Sequence, residues 1–214
     1  MPVLGLALTL CAGLFLFSLA KAASQFMTFR AESDADMPRS ISSYTSAIDI
    51  DSSNAAANYL LASLLFSGNQ YPEAASQYQA AIRKGLGTSA TYSYLISAHA
   101  LAGDDPAAIE VAAEALSVFP NSVFLLTRYA ILLKQAGRGS EAEEHLAKAR
   151  NINARQAETW LIVITQGSEK AAAAGRNGTG VPLLVDLYPA SGLYAVLAER
   201  QIRFPEEKPK VFDN

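Results

Sequence analysis

The chain has 214 residues, half of them hydrophobic and 17% charged, with a formal net charge of −3. No basic block supplies the electrostatic footprint of a nucleic-acid binder, so nucleic acid is excluded as the expected partner. The single cysteine, Cys11, excludes an internal disulfide and a cysteine zinc site.

Residues 3–20 carry no charge and are interrupted only by Gly5, Thr9, Gly13 and Ser18. A run of this length lies at the short end of what crosses a bilayer and slightly beyond a secretory core. Ala20 and Ala22 flank Lys21 at the places a signal peptidase reads, which puts a cleavage point before Ala23. No Lys or Arg precedes the run, however, whereas Lys21, Arg30 and Arg39 follow it, and an uncleaved helix with that bias leaves its C-terminal flank in the cytoplasm. Residues 1–22 are therefore expected to be a signal peptide or a membrane anchor. The remainder is exported to a periplasm or held at an inner membrane, with a cytoplasm-facing anchored form as the alternative. Leu8-Thr9-Leu10-Cys11 approximates a lipoprotein signal, but Leu10 is not small, so Cys11 is read as a buried apolar residue.

Further along, alanine pairs recur every 34 residues: Ala74 and Ala81, Ala108 and Ala115, Ala142 and Ala149. A period of 34 built of two helical segments marks units that cannot bury their own apolar faces and must stack. The register divides the chain into units 55–88, 89–122 and 123–156. Gly103 and Gly137 end the first helices of their units, with Asn69 at the corresponding place in the first, because these residues tolerate the left-handed conformation. Pro72 and Pro106 open second helices, where a missing N–H costs nothing.

Extended backward, the register makes 37–50 the second helix of an earlier unit. Its first helix, 21–33, would continue directly from the membrane segment, so 23–54 is a partial repeat. Extended forward, 156–166 with Trp160 reads as the first helix of a fourth unit. The pattern then fails at 167–180, a loop or frayed helix end. Segments 182–188 and 191–203 are helical by pattern and read as a cap, which makes 157–203 a degenerate repeat with capping helices. Residues 204–214 are expected to be an extended tail, or a peptide that another subunit grips.

These matches resemble the tetratricopeptide repeat. They are Leu61, Ala62, Leu65, Ala74, Tyr78 and Ala81 in the first unit, then Tyr92, Leu95, Ala108, Ala115 and Pro120 in the second. The third supplies Leu126, Tyr129, Ala130, Leu133, Ala142, Leu146 and Ala149. Asn58, Ile96 and His99 depart from the pattern. The resemblance implies an all-α, right-handed solenoid of antiparallel helix pairs, with an N-terminal apolar helix and a C-terminal helical cap.

It also implies a concave groove lined by the first helices, in which a partner's peptide or helix lies. The positions that match are Tyr59, Leu60, Ser63 and Phe66, then Ser93, Tyr94, Ser97 and Leu101, then Phe124, Thr127, Arg128, Ile131, Lys134 and Gln135. Among them Tyr59, Ser63, Phe66, Tyr94, Ser97, Phe124, Arg128 and Lys134 are taken as the partner-binding set, aromatic at one end and basic at the other. Leu60, Leu101 and Ile131 serve equally well as packing residues. The clamp that some family members use for acidic chaperone tails is not expected, since Tyr59 and Ser63 stand where it needs Lys and Asn.

Catalysis finds no carrier. His99 and His145 lie on different helices, no H-E-x-x-H or G-x-S-x-G sequence occurs, and 175–180 lacks the Lys-Ser/Thr ending of a phosphate loop. Neither cofactor nor metal is expected. The sequence reads as a non-enzymatic protein-interaction scaffold at a bacterial cell envelope, assisting assembly of an envelope or membrane complex. Alternatively it is an integral accessory subunit of a larger membrane complex.

Overall fold

A computed structural model describes residues 2–32 and 36–173, all in helices and short turns. The helices are α1 (Pro2–Glu32), α2 (Met37–Ile50), α3 (Ala55–Ser67), α4 (Tyr71–Arg83), α5 (Ser89–Leu101), α6 (Asp105–Val118), α7 (Val123–Gln135) and α8 (Gly139–Ala173). Each packs on the next in chain order, the arrangement of a solenoid of antiparallel pairs. The expected cap at 182–203, the tail at 204–214 and the Cys11 side chain lie outside the described residues.

Each described unit starts and stops by the same local chemistry. The first helices of the three units are capped by Asn54, Thr88 and Ser122, whose side chains accept from the backbone N–H of Ala57, Thr91 and Leu125. Such a cap satisfies one of the donors that a helix start leaves without a partner. The same helices end with Asn69 (φ 60°), Gly103 (φ 80°) and Gly137 (φ 78°) in the left-handed region. There the N–H of Gln70, Asp104 and Arg138 reaches back to the carbonyl of Leu65, His99 and Leu133 at 2.9, 2.9 and 2.8 Å. These are the closing bonds of a Schellman motif, and they fix where the chain turns into the second helix. Pro72 and Pro106 sit in the first turns of α4 and α6, as the sequence predicts.

Between the pairs lies the alanine seam. Ala74, Ala81, Ala108, Ala115, Ala142 and Ala149 are each at most 1% exposed. A side chain of one methyl lets two backbones approach closely while Leu61, Leu95, Leu126 and their neighbours fill the grooves beside it.

One element differs from the sequence reading. The turn expected before a fourth unit shrinks to Asn153, the one residue of α8 with extended backbone (φ −157°, ψ 98°). Its side chain accepts from the N–H of Gln156 at 3.0 Å, so a new helix starts there and continues to Ala173, through part of the stretch read as a loop. At the other end, α1 is one helix of 31 residues. Its second half packs on α2 and is tied to the α2–α3 turn: Ser24 Oγ donates to the Ala47 carbonyl at 2.7 Å and Ser40 Oγ donates to the Ala31 carbonyl at 3.0 Å. Asn54 Nδ2 donates to Ser24 Oγ at 2.8 Å and to Thr28 Oγ1 at 3.2 Å. The same asparagine thus caps α3 with its oxygen and ties α1 down with its nitrogen. In the turns just before, Leu14, Phe15, Leu16, Phe17 and Leu19 are all more than half exposed.

Candidate functional site

The inner helices α3, α5 and α7 bring the expected groove residues together in two clusters. The first is aromatic. Tyr59 and Tyr94 have ring centroids 6.2 Å apart, Phe66 lies 6.2 Å from Tyr94, and both contacts are edge-on. Beneath them Tyr78 of α4 stacks on Tyr94 at 5.5 Å with an interplanar angle of 12°. Tyr78 has no exposure, and Tyr59, Phe66 and Tyr94 have 6% each. The structure therefore differs from an open aromatic groove: these rings belong to the core as much as to the inner face. Offset and edge-on ring pairs add about 0.5–1.5 kcal/mol each beyond the area they bury, which is reason enough for their closure.

The sequence presents Tyr78 only as a repeat-packing residue, yet it anchors the cluster. The signal for that role is its place on the second helix opposite Ser63, whose hydroxyl lies 3.1 Å from the Tyr78 hydroxyl. Burial pushes the Tyr78 phenol well above the ordinary tyrosine range, and the Ser63 hydrogen bond opposes that only in part.

The second cluster is cationic. Arg128, on α7, is 2% exposed, and its Nη2 donates to Ser97 Oγ of α5 at 2.8 Å. Ser97 in turn donates its hydroxyl to the Ser93 carbonyl at 2.9 Å, which leaves its oxygen lone pairs aimed at the guanidinium. Among the described residues neither Nε nor Nη1 of Arg128 has a hydrogen-bond partner. Burial lowers the guanidinium to about 10, with no neighbouring anion to offset it, yet leaves it charged at neutral pH. On the same helix Phe124 meets Trp160 edge-on at 4.7 Å, so it too is a packing residue as well as an inner-face residue.

Lys134 is exposed at the end of α7, and Ser63 is half-buried. Of the three ambiguous residues, Leu60 and Leu101 are buried in the core, while Ile131 is partly buried against it.

The two histidines stay apart. His99 Nδ1 lies 3.6 Å from Asp104, which also caps α6, and the His145 ring stands edge-on to Tyr129 at 4.7 Å. Among the described residues no three His, Cys, Asp or Glu side chains converge as metal ligands. The inner helices thus bring together a cluster of rings and one buried charge.

The tetratricopeptide-repeat family model matches residues 34–90 and again 59–123. The fold is that of a tetratricopeptide-repeat solenoid. Solved structures agree: a crystal structure of MamA aligns with a TM-score of 0.56 at 20% identity, over 67% of this chain and 87% of that one. YrrB, described as a TPR protein with an unusual peptide-binding site, aligns with a TM-score of 0.50 at 18% identity, over 78% of this chain and 84% of that one. No curated protein sequence matches. The tetratricopeptide fold is that of a general protein-interaction scaffold.

Proposed function

We propose that this tetratricopeptide scaffold is tethered to a bacterial membrane by α1 and takes a partner's peptide or helix along α3, α5 and α7, assisting assembly of an envelope or membrane complex. The observation that carries the reading is the continuity of α1. Leu14, Phe15, Leu16, Phe17 and Leu19 of its apolar part stand bare, while the part from Ser24 onward is bonded into the first repeat. A helix of this length and composition can cross a bilayer. Lys21 marks the changeover, 5.2 Å from the Phe17 ring centroid and 4.0 Å from Asp51 of the α2–α3 turn. A cation so placed at the end of an apolar segment sits where a lysine snorkels to the interface. Supporting the peptide-binding part are the unpaired Arg128 nitrogens and the peptide-binding description of YrrB, a protein of the same fold.

The test is photocrosslinking in cells from the accessible edge of the inner face. A benzophenone amino acid at Ser63 or Lys134 is expected to capture a discrete membrane-associated protein, while the same probe at Glu144, exposed on α8, does not. Capture at Glu144 alone, or at neither face, contradicts the reading.

The alternative, an integral accessory subunit of a membrane complex, draws on Phe26 and Phe29. Both are more than 60% exposed on the part of α1 that lies beyond Lys21. Exposed rings of this size mark a surface that another element covers.

A further inference from the structure

Along α1, Phe15, Leu19, Ala22, Phe26 and Phe29 recur at alternating spacings of four and three residues. That is the spacing of a helix that packs lengthwise on another helix. All five are exposed, the three rings by more than 60%. Ser24, Thr28 and Ala31, buried against α2 and the α2–α3 turn, recur with the same spacing on the opposite side of the helix. The stripe therefore stays open among the described residues, from the apolar part of α1 past Lys21, and the repeats lie behind it.

Lipid does not account for its far end. At about 1.5 Å per residue, Phe26 and Phe29 stand roughly 7 and 12 Å beyond Lys21, whereas the headgroup layer outside the hydrocarbon is only about 5–7 Å deep. Sinking α1 further would drag polar groups of the first repeat into the bilayer, because Ser24 is bonded to Ala47 and Lys21 lies 4.0 Å from Asp51. What covers these rings is therefore protein, and it presents apolar positions both inside the membrane and above it.

A second copy of α1, parallel and related by a two-fold axis along the membrane normal, presents the same stripe at the same height. An enclosed ring buries roughly 150–250 Å², so the exposed parts of three rings and Leu19 withdraw on the order of 500 Å² per copy, about 1,000 Å² for the pair, the level that a specific interface requires. Of the flanking positions, Leu16, Ser18, Ala23 and Gln25 are uncharged, and Arg30 comes opposite Gln25 of the second copy, so no like charges meet.

We propose that α1 pairs with α1 of a second copy along Phe15, Leu19, Ala22, Phe26 and Phe29, with the repeats on the outer sides of the helix pair. The inference rests on the membrane tether for its parallel direction, and it makes the tethered scaffold a dimer.

The test is disulfide trapping in native membranes, in full-length Cys11→Ala protein so that Ala22→Cys supplies the one thiol. This change leaves every ring of the stripe in place. Mild oxidation is expected to give a reducible product of twice the chain mass, while Thr45→Cys, on the exposed side of α2, stays monomeric. Adding Phe26→Gln/Phe29→Gln to Ala22→Cys is expected to lower the product about tenfold, since aromatic anchors carry much of an interface's energy. Both rings are exposed, so the repeats stay folded, which circular dichroism verifies. An unchanged yield in that variant overturns the proposal, as does an adduct with a different protein. The intact mass of the natural protein separates the remaining failures: a full-length chain that yields no dimer overturns the pairing alone, and a chain beginning at Ala23 overturns tether and pairing together.

Discussion

Tyr94 stands between Tyr59, Phe66 and Tyr78, and that position gives it two roles that the sequence presents as one. Groove positions are legible from the register, but whether an aromatic side chain at such a position points outward or closes over its neighbour depends on what lies opposite. Here the opposing residue is Tyr78, 16 residues from Tyr94 and on a different helix. Tyr94→Ala is therefore expected to lose about 3–5 kcal/mol of stability, as for other large-to-small changes in a core, measured by urea denaturation. A loss below about 1 kcal/mol would place the ring outside the core.

Titration offers a second test at this scale. Burial and, next, the hydrogen bond from its hydroxyl to Glu114 at 2.9 Å push the Tyr92 phenol up to about 12, and burial raises Tyr78 as well. A phenol whose pKa is raised in the folded state contributes stability that is complete below its unfolded value near 10 and is lost as pH rises through the folded value. Melting followed by circular dichroism is expected to show Tm falling between about pH 10 and pH 12, and falling less in Tyr92→Phe. An identical fall in both proteins would show that Tyr92 contributes nothing to this dependence.

Among the elements, boundaries are legible wherever a residue type has a special backbone tolerance. Asn69, Gly103 and Gly137 are such positions, and each takes the left-handed conformation. A Cβ added at Gly137 would meet only open space, so Gly137→Ala tests backbone strain alone. It is expected to cost about 1–2 kcal/mol in a denaturant melt, and no loss would mean that the turn adjusts freely. The break inside α8 is not legible, because Ile152-Asn153-Ala154 contains neither Gly nor Pro and a single extended residue, capped by its own side chain, replaces a full turn. The caps Asn54, Thr88 and Ser122 also recur every 34 residues, yet they differ in residue type and so are harder to see than the alanines. The fusion of the apolar segment with the first repeat follows from the register, even though 21–33 matches the repeat poorly. Its helix is bound by Ser24, Thr28 and Asn54 through hydrogen bonds that a hydrophobic pattern does not record.

At the scale of the whole molecule, α1 is one continuous helix that runs into the first repeat, so the tether proposed above would hold the inner face in a fixed relation to the bilayer, with no linker between them. Partner capture would then occur at a set height and orientation above the lipid, an advantage for a scaffold in assembly. That geometry depends on residues 1–22 remaining part of the mature protein. The most direct test is the intact mass of the protein recovered from native membranes. A tethered scaffold predicts the full 22.8 kDa chain with its N-terminal segment present. A mass that corresponds to a chain beginning at Ala23 would contradict the tether and leave a free repeat protein.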